Sequence, residues 1–530
     1  MTTPINARHP VADALAAAIG AEHVLTGASE LRFYSTDIYR EGLLPCAVVR
    51  PGTPDEVAAV LRIAGDHGLA VVPRGGGASY TDGYLPTRPD SILVDTLRLK
   101  RIVEVNAEDM YVIAEAGVTW AELEAELRPR GVRPVFFGPF SGIAATVGGS
   151  LSQNTVSWGT GIFGTSAEAV LGLEVALADG RLLRTGTWGL DGTAPFFRQH
   201  GPDLTGLFMG DAGAYGIKTR VSLRLLRRPA EFACLSFRFA SFEAMAKGLA
   251  AAAREGNHTL NFGLDPALQQ GQLGKTDAGA ALQAALAVFR SARTVLDGVV
   301  QLSRMAAAGR RFLQGDVHSV HYIVEGSDRR AVRSAAGRLR DVLAPFGAET
   351  ANTLPAVVHA MPFAPLYNVV GPRGERWVPL HGILPFSRVQ AFRADLMDLY
   401  ARHEAAMARH RVTRGAMFMS IATNAFLYEP VFYWQGERNA CIDRLVPADY
   451  LAQLPKYPPN PEGRALVATM KAEIVALFRR HGAAHLQAGK VYPVLEGRNA
   501  PYVQLLRAAK AAADPAGRLN PGALGLQQSG

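Results

Sequence analysis

The segment Arg74-Gly75-Gly76-Gly77-Ala78-Ser79 has the clearest chemical meaning in this sequence. Glycine has no Cβ, so the backbone of such a segment can approach a ligand closely. Successive free amide N–H groups, with an arginine beside them, form a nest for an anion. The segment therefore predicts a loop that binds a phosphate or pyrophosphate, with an ordinary glycine-rich turn as the alternative. Tyr80 occupies the last glycine position of a GxGxxG fingerprint, and no Gly-Lys-Ser/Thr follows, so neither a Rossmann fingerprint nor a P-loop is present.

A second glycine-rich region follows at residues 138–164. Its centre reads Thr146-Val147-Gly148-Gly149-Ser150-Leu151-Ser152-Gln153-Asn154, which places glycines beside hydroxyl and amide groups. Side chains of this kind can line a polar, extended cofactor. Two such regions separated by strands predict one long ligand that crosses a domain.

The surrounding elements can be predicted from capping and periodicity. Thr53 begins a helix with a capping-box pattern and Gly68 ends it, after which residues 69–72 read as a short strand that runs into the first glycine segment. Thr119 begins a second helix of the same kind. After Pro229 the chain is richer in Ala/Arg helices, predicted at 243–254, 279–296, 329–343 and 388–409, with strands between them. This change predicts a separate α+β domain.

The composition is that of a globular protein. The chain has 530 residues, a formal net charge of +8, 48% hydrophobic residues and 19% charged residues. This length predicts two or three domains. The surplus of Lys and Arg forms no basic tail and is not interleaved with aromatic residues, so we expect no nucleic-acid partner.

Cysteine usage and hydropathy bear on the compartment. Cys46, Cys234 and Cys441 lie far apart, which excludes a disulfide framework and a cysteine-rich zinc site. A reducing, cytoplasmic location is expected. No apolar run of about 18 residues is present, so we expect no transmembrane segment. The nearest approach, residues 417–434, is interrupted by Glu429 and other polar residues.

Five segments, in this order along the chain, carry a family resemblance. They are residues 71–77, residues 146–149, residues 201–208 (Gly-Pro-Asp-Leu-Thr-Gly-Leu-Phe), residues 213–217 (Gly-Ala-Tyr-Gly-Ile) and the closing residues 514–522. With this set the chain resembles the vanillyl-alcohol oxidase / p-cresol methylhydroxylase (PCMH-type) superfamily of FAD-linked oxidoreductases. The resemblance spans about 200 residues on the N-terminal side and the C-terminal tail.

The resemblance implies an α+β fold and FAD as the cofactor. Residues 1–229 would form a PCMH-type FAD-binding domain of two α+β subdomains. Residues 230–494 would form an α+β cap, or substrate, domain with an antiparallel sheet over the isoalloxazine. Residues 495–530 would be a tail that returns to the FAD domain.

The resemblance also implies which residues hold FAD. Arg74, Gly75, Gly76, Gly77, Ala78 and Ser79 would bind the pyrophosphate. The flavin and ribityl chain would be lined by Thr146, Gly148, Gly149, Ser152, Asn154 and Gly161. Ile217 would lie at the adenine, and Asn520 near the flavin ring. Members that attach FAD covalently through the glycine loop carry His where this chain has Ala78, so that linkage is absent; attachment from a His or Tyr of the cap remains open.

Catalytic candidates come from two segments of the cap. If residues 485–492 are extended, His485, Gln487 and Gly489 share one face and Lys490 and Tyr492 the other. We predict His485 as base or hydrogen-bonding group, with Lys490 or Tyr492 as partner for a substrate anion; the alternative is a half-buried strand with ordinary polar contacts. His381 is the second candidate, with a buried core histidine as its alternative reading.

These features predict an FAD-dependent oxidase or dehydrogenase. It would remove a hydride from a C–H next to oxygen in a small molecule, an alcohol or p-hydroxybenzylic compound. One alternative is a 2-hydroxy-acid (D-lactate/glycolate-like) dehydrogenase, although the His-rich metal segment of that branch is missing and no metal is predicted. Another is a non-catalytic flavin-binding protein. The electron acceptor (oxygen, a quinone or a cytochrome) is left open, and a homo-oligomer is compatible with the sequence.

Overall fold

The protein is described by a computed structural model that covers residues 11–273 and 317–526. Three β-sheets with helices packed around them form these residues. The fold is mixed α+β, as the sequence predicts. The predicted helix at 279–296 lies outside the described residues.

The first sheet carries the glycine loop. Its strands are β1 (Val24–Leu25), β2 (Ala47–Val49), β3 (Ala70–Arg74) and β4 (Ser91–Asp95), in the order β1-β2-β4-β3. Strands β2, β4 and β3 are parallel, and every residue of β4 is buried. Helices Val11–Ile19, Ala28–Tyr34 and Pro54–Asp66 belong to this part of the chain. A parallel sheet buried on both faces explains its continuous apolar runs.

The second sheet completes the N-terminal part of the protein. It contains β5 (Ile102–Asn106), β6 (Tyr111–Glu115), β7 (Val132–Pro134), β8 (Val170–Ala176), β9 (Leu182–Arg184) and β10 (Ile217–Arg227). The order is β5-β6-β10-β8-β9, and β7 pairs with β10. Helices Trp120–Leu127, Val147–Gln153, Thr160–Phe163 and Leu204–Leu207 accompany it.

The third sheet is antiparallel. It contains β11 (Glu231–Phe239), β12 (Leu260–Leu264), β13 (His318–Gly326), β14 (Ala348–Thr350), β15 (Arg376–Pro379), β16 (Gly382–Pro385), β17 (Val412–Ile421) and β18 (Ala425–Trp434). The order is β14-β11-β13-β12-β17-β18-β15, and β16 pairs with β18. Its helices are Phe242–Glu255, Pro266–Leu273, Arg329–Leu343, Thr353–Ala360, Val389–Arg409, Ala440–Leu445, Ala448–Ala452 and Pro461–Arg480. The largest apolar core packs against one face of this sheet, which leaves the other face for the site.

Local signals in the sequence place the helices well. The Thr53 hydroxyl accepts a hydrogen bond from the Glu56 amide, and Thr119 forms a full capping box with Glu122. Residues 376–385 form two strands, β15 and β16, because the strand pairing is interrupted at Leu380 and His381. Each of these elements is set by residues close in sequence, apart from the break at His381.

The tail returns to the first sheet. After helix Ala500–Ala513, Leu519 forms a parallel bridge with Val71, and the Lys510 ammonium donates to the Leu519 carbonyl. Strands β10 and β11 lie in different sheets on either side of Pro229, where we propose the domain boundary. None of the helices in the described residues is long and apolar enough to cross a membrane.

Candidate functional site

A cavity lies between the glycine-rich regions of the first two sheets and the free face of the third. It holds about 1570 Å³ not filled by protein atoms, part of it open to solvent. Its wall on the N-terminal side includes Arg74–Ser79 together with Thr146, Gly148, Gly149, Ser150, Ser152 and Gln153. The wall on the side of the third sheet, which we call the cap wall, includes Asn368, Val369, Trp377, Met417, Met419 and Glu429. The topology thus brings both predicted glycine regions and the antiparallel sheet to one cavity.

The two glycine regions pack directly against each other. A Cβ on Gly76 would overlap the Ala144 carbonyl oxygen, and a Cβ on Gly75 would lie 2.5 Å from the Thr146 hydroxyl. Gly77 has φ +72°, in the left-handed region. Gly76 is therefore required by a neighbouring segment of the chain, whereas Gly77 is required by its own backbone.

Arg74 ends strand β3 and carries an unsatisfied positive charge into the cavity. The residue is 3% exposed, and its Nε and Nη2 have no hydrogen-bond partner among the described residues. The guanidinium carbon lies 4.8 to 5.1 Å from the ring centres of Phe33, Tyr34 and Tyr84. Buried arginines are ordinarily paired. Free N–H donors beside a glycine loop fit the pyrophosphate of a dinucleotide.

A second cation, Lys218, was not found by sequence reasoning. Its ammonium lies 2.6 Å from the Asp211 carboxylate and 2.9 Å from the Ser152 hydroxyl, and it is 3% exposed. Lys218 and Ser152 both line the cavity. The ammonium therefore holds Ser152 in place, which is one of the residues expected to line the cofactor.

The cap wall is formed by alternate residues of three adjacent strands. Met417 pairs directly with Glu429, and Trp377 with Tyr433, so these side chains share one face of the sheet with Met419. Phe418 and Tyr428 point to the other face, into the large apolar core. The register between β17 and β18 thus decides which side chains reach the cavity.

Glu429 is the one acidic residue among the described cavity-lining residues. Its carboxyl forms no hydrogen bond or ion pair with the residues that the structure describes. Burial raises its pKa to about 8. A carboxyl with a raised pKa, facing a cavity, is typical of a proton-transfer group. The only signal in the sequence was an acid inside the apolar strand β18.

Two further polar residues of the cavity, Tyr80 and Gln487, were not among the predicted site residues. The Gln487 side-chain amide donates to the Tyr80 hydroxyl at 3.2 Å, and both residues line the cavity. Burial raises the pKa of Tyr80 well above its usual value, so its hydroxyl keeps its proton. Tyr80 can therefore donate a hydrogen bond to a ligand oxygen.

Most of the residues predicted to hold the cofactor line the cavity, and three do not. The following line the cavity: Arg74, Gly75, Gly76, Gly77, Ala78, Ser79, Thr146, Gly148, Gly149, Ser152 and Ile217. Asn154, Gly161 and Asn520 are not among the lining residues. The Asn154 side chain accepts from the Ala167 amide, and the Gly161 amide donates to the Thr259 carbonyl. The Asn520 side chain donates to the carbonyls of Gly83 and Ala212, which do line the cavity, so it supports the wall from behind.

The four predicted catalytic residues lie behind the cavity wall. Residues 485–492 are not an extended strand, because Gln487 (φ 50°) and Gly489 (φ 53°) are left-handed. This corrects the predicted faces: His485 and Tyr492 stack on each other with ring centres 4.2 Å apart. The His485 Nδ1–H donates to the His381 carbonyl at 2.9 Å, and the His381 amide donates to the Tyr492 hydroxyl at 2.9 Å.

The charge states of these residues follow from burial. His381 is 0% exposed, and burial lowers its pKa to about 3, so it stays neutral. Burial lowers the pKa of Lys490 to about 7, and its ammonium donates to the Leu85 carbonyl. Neither side chain is among the described cavity-lining residues. The catalytic roles of His381, His485, Lys490 and Tyr492 stay predictions. The structure brings Glu429 and Tyr80 to the cavity instead.

No group of three or more His, Cys, Asp or Glu close enough to hold a metal ion is found in residues 11–273 and 317–526. His321 illustrates how the histidines are used. It is buried between the hydroxyls of Ser236 and Ser319, with ring nitrogens 2.8 and 3.1 Å from them.

Comparison with known proteins agrees with this geometry. Residues 45–186 match the family model described as FAD binding domain. The chain carries an FAD-binding domain. The matched residues include the glycine loop, the Thr146 region and the capped helices, which confirms the predicted cofactor. The FAD-binding domain accounts for one wall of the cavity, and the cap sheet supplies the other.

Relatives share this domain, and solved structures share the whole fold. The chain is 30% identical over 188 residues to the glycolate oxidase subunit GlcD of Bacillus subtilis, covering 35% of this chain and 38% of that protein. It is 30% identical over 182 residues to a mitochondrial D-lactate dehydrogenase [cytochrome] of Kluyveromyces lactis, covering 34% and 30%. The match thus spans about a third of these relatives. The structure of p-cresol methylhydroxylase with substrate bound superposes with a TM-score of 0.69 at 19% identity, over 97% of this chain and 96% of that one. This likeness confirms the predicted fold.

Proposed function

We propose that this protein is an FAD-dependent oxidoreductase that removes a hydride from a C–H next to oxygen in a neutral alcohol or p-hydroxybenzylic compound. The observation that carries the proposal is Glu429, an unpartnered carboxyl on the cap wall of the cavity. The electron acceptor is left open. A cytoplasmic location, expected from the cysteine usage, is part of the proposal.

The residues of the cavity support separate roles in cofactor binding, proton transfer and substrate orientation. Bound FAD supplies the hydride acceptor, and Arg74 and the glycine loop would hold its pyrophosphate. Glu429 accepts the hydroxyl proton of the substrate, and Tyr80 donates a hydrogen bond that orients the substrate oxygen. Trp377, Met417 and Met419 supply apolar surface against which the substrate can pack.

A 2-hydroxy acid is the second candidate, because the FAD-binding region resembles proteins named glycolate oxidase and D-lactate dehydrogenase. Such a substrate carries a carboxylate, which needs a cationic partner. The basic residues among the described cavity-lining residues are Arg74 and Lys218, both on the FAD-binding side. The residues of the cap wall that line the cavity include no cation to pair with a carboxylate, so a neutral substrate is favoured.

An anaerobic reduction screen tests the proposal. We expect p-hydroxybenzylic and other neutral alcohols to bleach the flavin absorbance, and glycolate and D-lactate to leave it unchanged at equal concentrations. Bleaching by the hydroxy acids alone would replace the proposal by the second candidate. A fully loaded protein that no compound reduces would indicate a flavin-binding protein without this activity.

The flavin is expected to be bound noncovalently. Ala78 lacks the ring nitrogen of the histidine found there in members that attach FAD through this loop. The described cavity-lining residues contain no His or Cys, and their tyrosines, Tyr80 and Tyr84, come from the FAD-binding side. Acid precipitation should therefore release FAD, identified by chromatography, into the supernatant. A yellow pellet would show a covalent bond and contradict this prediction.

A further inference from the structure

A second groove lies on the opposite side of strand β15 from the cavity. It holds about 2060 Å³ not filled by protein atoms, part of it open to solvent. Helix Ala28–Tyr34 and residues 39–41 form one side, and residues 437–443 with the start of helix Pro461–Arg480 form the other. We call it the arginine groove because Arg32, Arg40, Arg376, Arg438 and Arg464 line it.

Arg376 is the buried cation of the arginine groove. It is 6% exposed, and its guanidinium donates to the backbone carbonyls of Ile38, Tyr39 and Glu437. Its Nε is buried without a hydrogen-bond partner, and no carboxylate of the described residues lies within 4 Å. Burial lowers its pKa, and the carboxyl of Asp37 opposes this effect from beyond ion-pair distance.

Arg464 brings a second positive charge to the same place. It is exposed on the first turn of helix Pro461–Arg480 and forms no ion pair with a described residue. Its charge lowers the pKa of Arg376 further, so the two guanidinium groups repel each other. Two unneutralised cations facing one groove are stabilised when an anion lies between them.

The other charges of the arginine groove are mostly paired. Arg32 binds Glu41 at 2.9 Å, Arg40 binds Asp82 at 2.7 Å, and Arg438 lies 3.5 Å from Asp443. Glu437 is the remaining acid, and its charge acts on Arg32. The charge left for a ligand is therefore concentrated at Arg376 and Arg464.

We propose that the arginine groove binds a small anion, with a phosphate or carboxylate group held between Arg376 and Arg464. Side chains alternate along β15, so Arg376 lines the groove while Trp377 lines the cavity. Likewise, Ile38 lines the cavity and the adjacent Tyr39 lines the arginine groove. An anion bound here contacts a strand and a loop that also line the cavity.

Calorimetric titration of the FAD-loaded protein tests this site, since bound FAD blocks its own pyrophosphate loop. The probes are inorganic phosphate, pyrophosphate and citrate at constant ionic strength. We expect saturable binding of at least one probe, and the comparison of phosphates with citrate separates the two anion chemistries. Absence of saturable binding by all three would overturn the proposal.

Two charge-matched variants locate the site. Arg464→Gln should weaken binding about 10-fold or more, because a charged hydrogen bond is lost. Arg333→Gln removes the same charge from an exposed position of helix Arg329–Leu343 and should leave the affinity unchanged. Equal affinity in wild type and Arg464→Gln would overturn the assignment. Both residues are exposed, so both variants should fold and keep FAD, whatever substrate the cavity accepts.

Discussion

The variant Glu429→Gln is expected to reduce its flavin about 10²- to 10⁴-fold more slowly than wild type at saturating substrate, the usual contribution of a general base. Glutamine keeps the size of the side chain and its place opposite Met417 but cannot accept the proton. FAD should remain bound, because Glu429 lies on the cap wall. Stopped-flow reduction under anaerobic conditions measures the limiting rate.

The pH dependence gives a second readout of the same residue. Burial raises the pKa of Glu429 to about 8, so the carboxyl is largely protonated at neutral pH and becomes a base as the pH rises through that value. The limiting rate of wild type should therefore increase with pH towards a plateau above about 8, and the Gln variant should lose this dependence.

A matched control separates Glu429 from the base predicted by sequence. His485 stacks on Tyr492 behind the wall, so His485→Gln should keep a limiting rate close to wild type. A large loss of rate in His485→Gln, with a wild-type rate in Glu429→Gln, would return the catalytic role to His485 and refute our assignment.

Replacing Arg74 by methionine is expected to weaken FAD binding strongly. Hydrogen bonds to charged groups contribute about 1.5–3 kcal/mol, which corresponds to about 10- to 150-fold in affinity. Methionine keeps the apolar stem between Phe33, Tyr34 and Tyr84 and removes the two unpartnered N–H groups. Titration of the apoprotein with FAD, followed by flavin fluorescence, measures the loss.

The stability of the apoprotein distinguishes a binding role for Arg74 from a structural one. Without an anion, burial of the guanidinium costs free energy, which offsets its attraction to the three rings. The Tm of the Arg74→Met apoprotein should therefore change little, whereas the increase in Tm on adding FAD should shrink. Arg74→Lys keeps the charge but loses the planar fork, so its increase in Tm on adding FAD should lie between those of wild type and Arg74→Met. Wild-type affinity in Arg74→Met would show that the arginine does not contact the cofactor.

The sequence by itself determined the FAD-binding part of the protein. Glycine segments, capping boxes and the strand that runs into Arg74 are local signals, because each depends on residues a few positions apart. Eleven of the fourteen residues that the family resemblance implies for FAD binding line the cavity. Asn154, Gly161 and Asn520 support neighbouring segments instead, through hydrogen bonds to residues 13 or more positions away in the chain.

Only the tertiary structure decided which side chains reach the cavity on the cap wall. Glu429 reaches the cavity because β18 pairs with β17 in a register that places it opposite Met417; a shift of one residue would turn it into the core. His485 is turned away because left-handed Gln487 and Gly489 break the alternation that an extended strand would have imposed. Strand register and backbone breaks of this kind are fixed by contacts between residues far apart in sequence. Residue types and spacing, with the family resemblance that they carry, therefore predict the cofactor site, whereas only the folded chain brings the Glu429 carboxyl to the cavity.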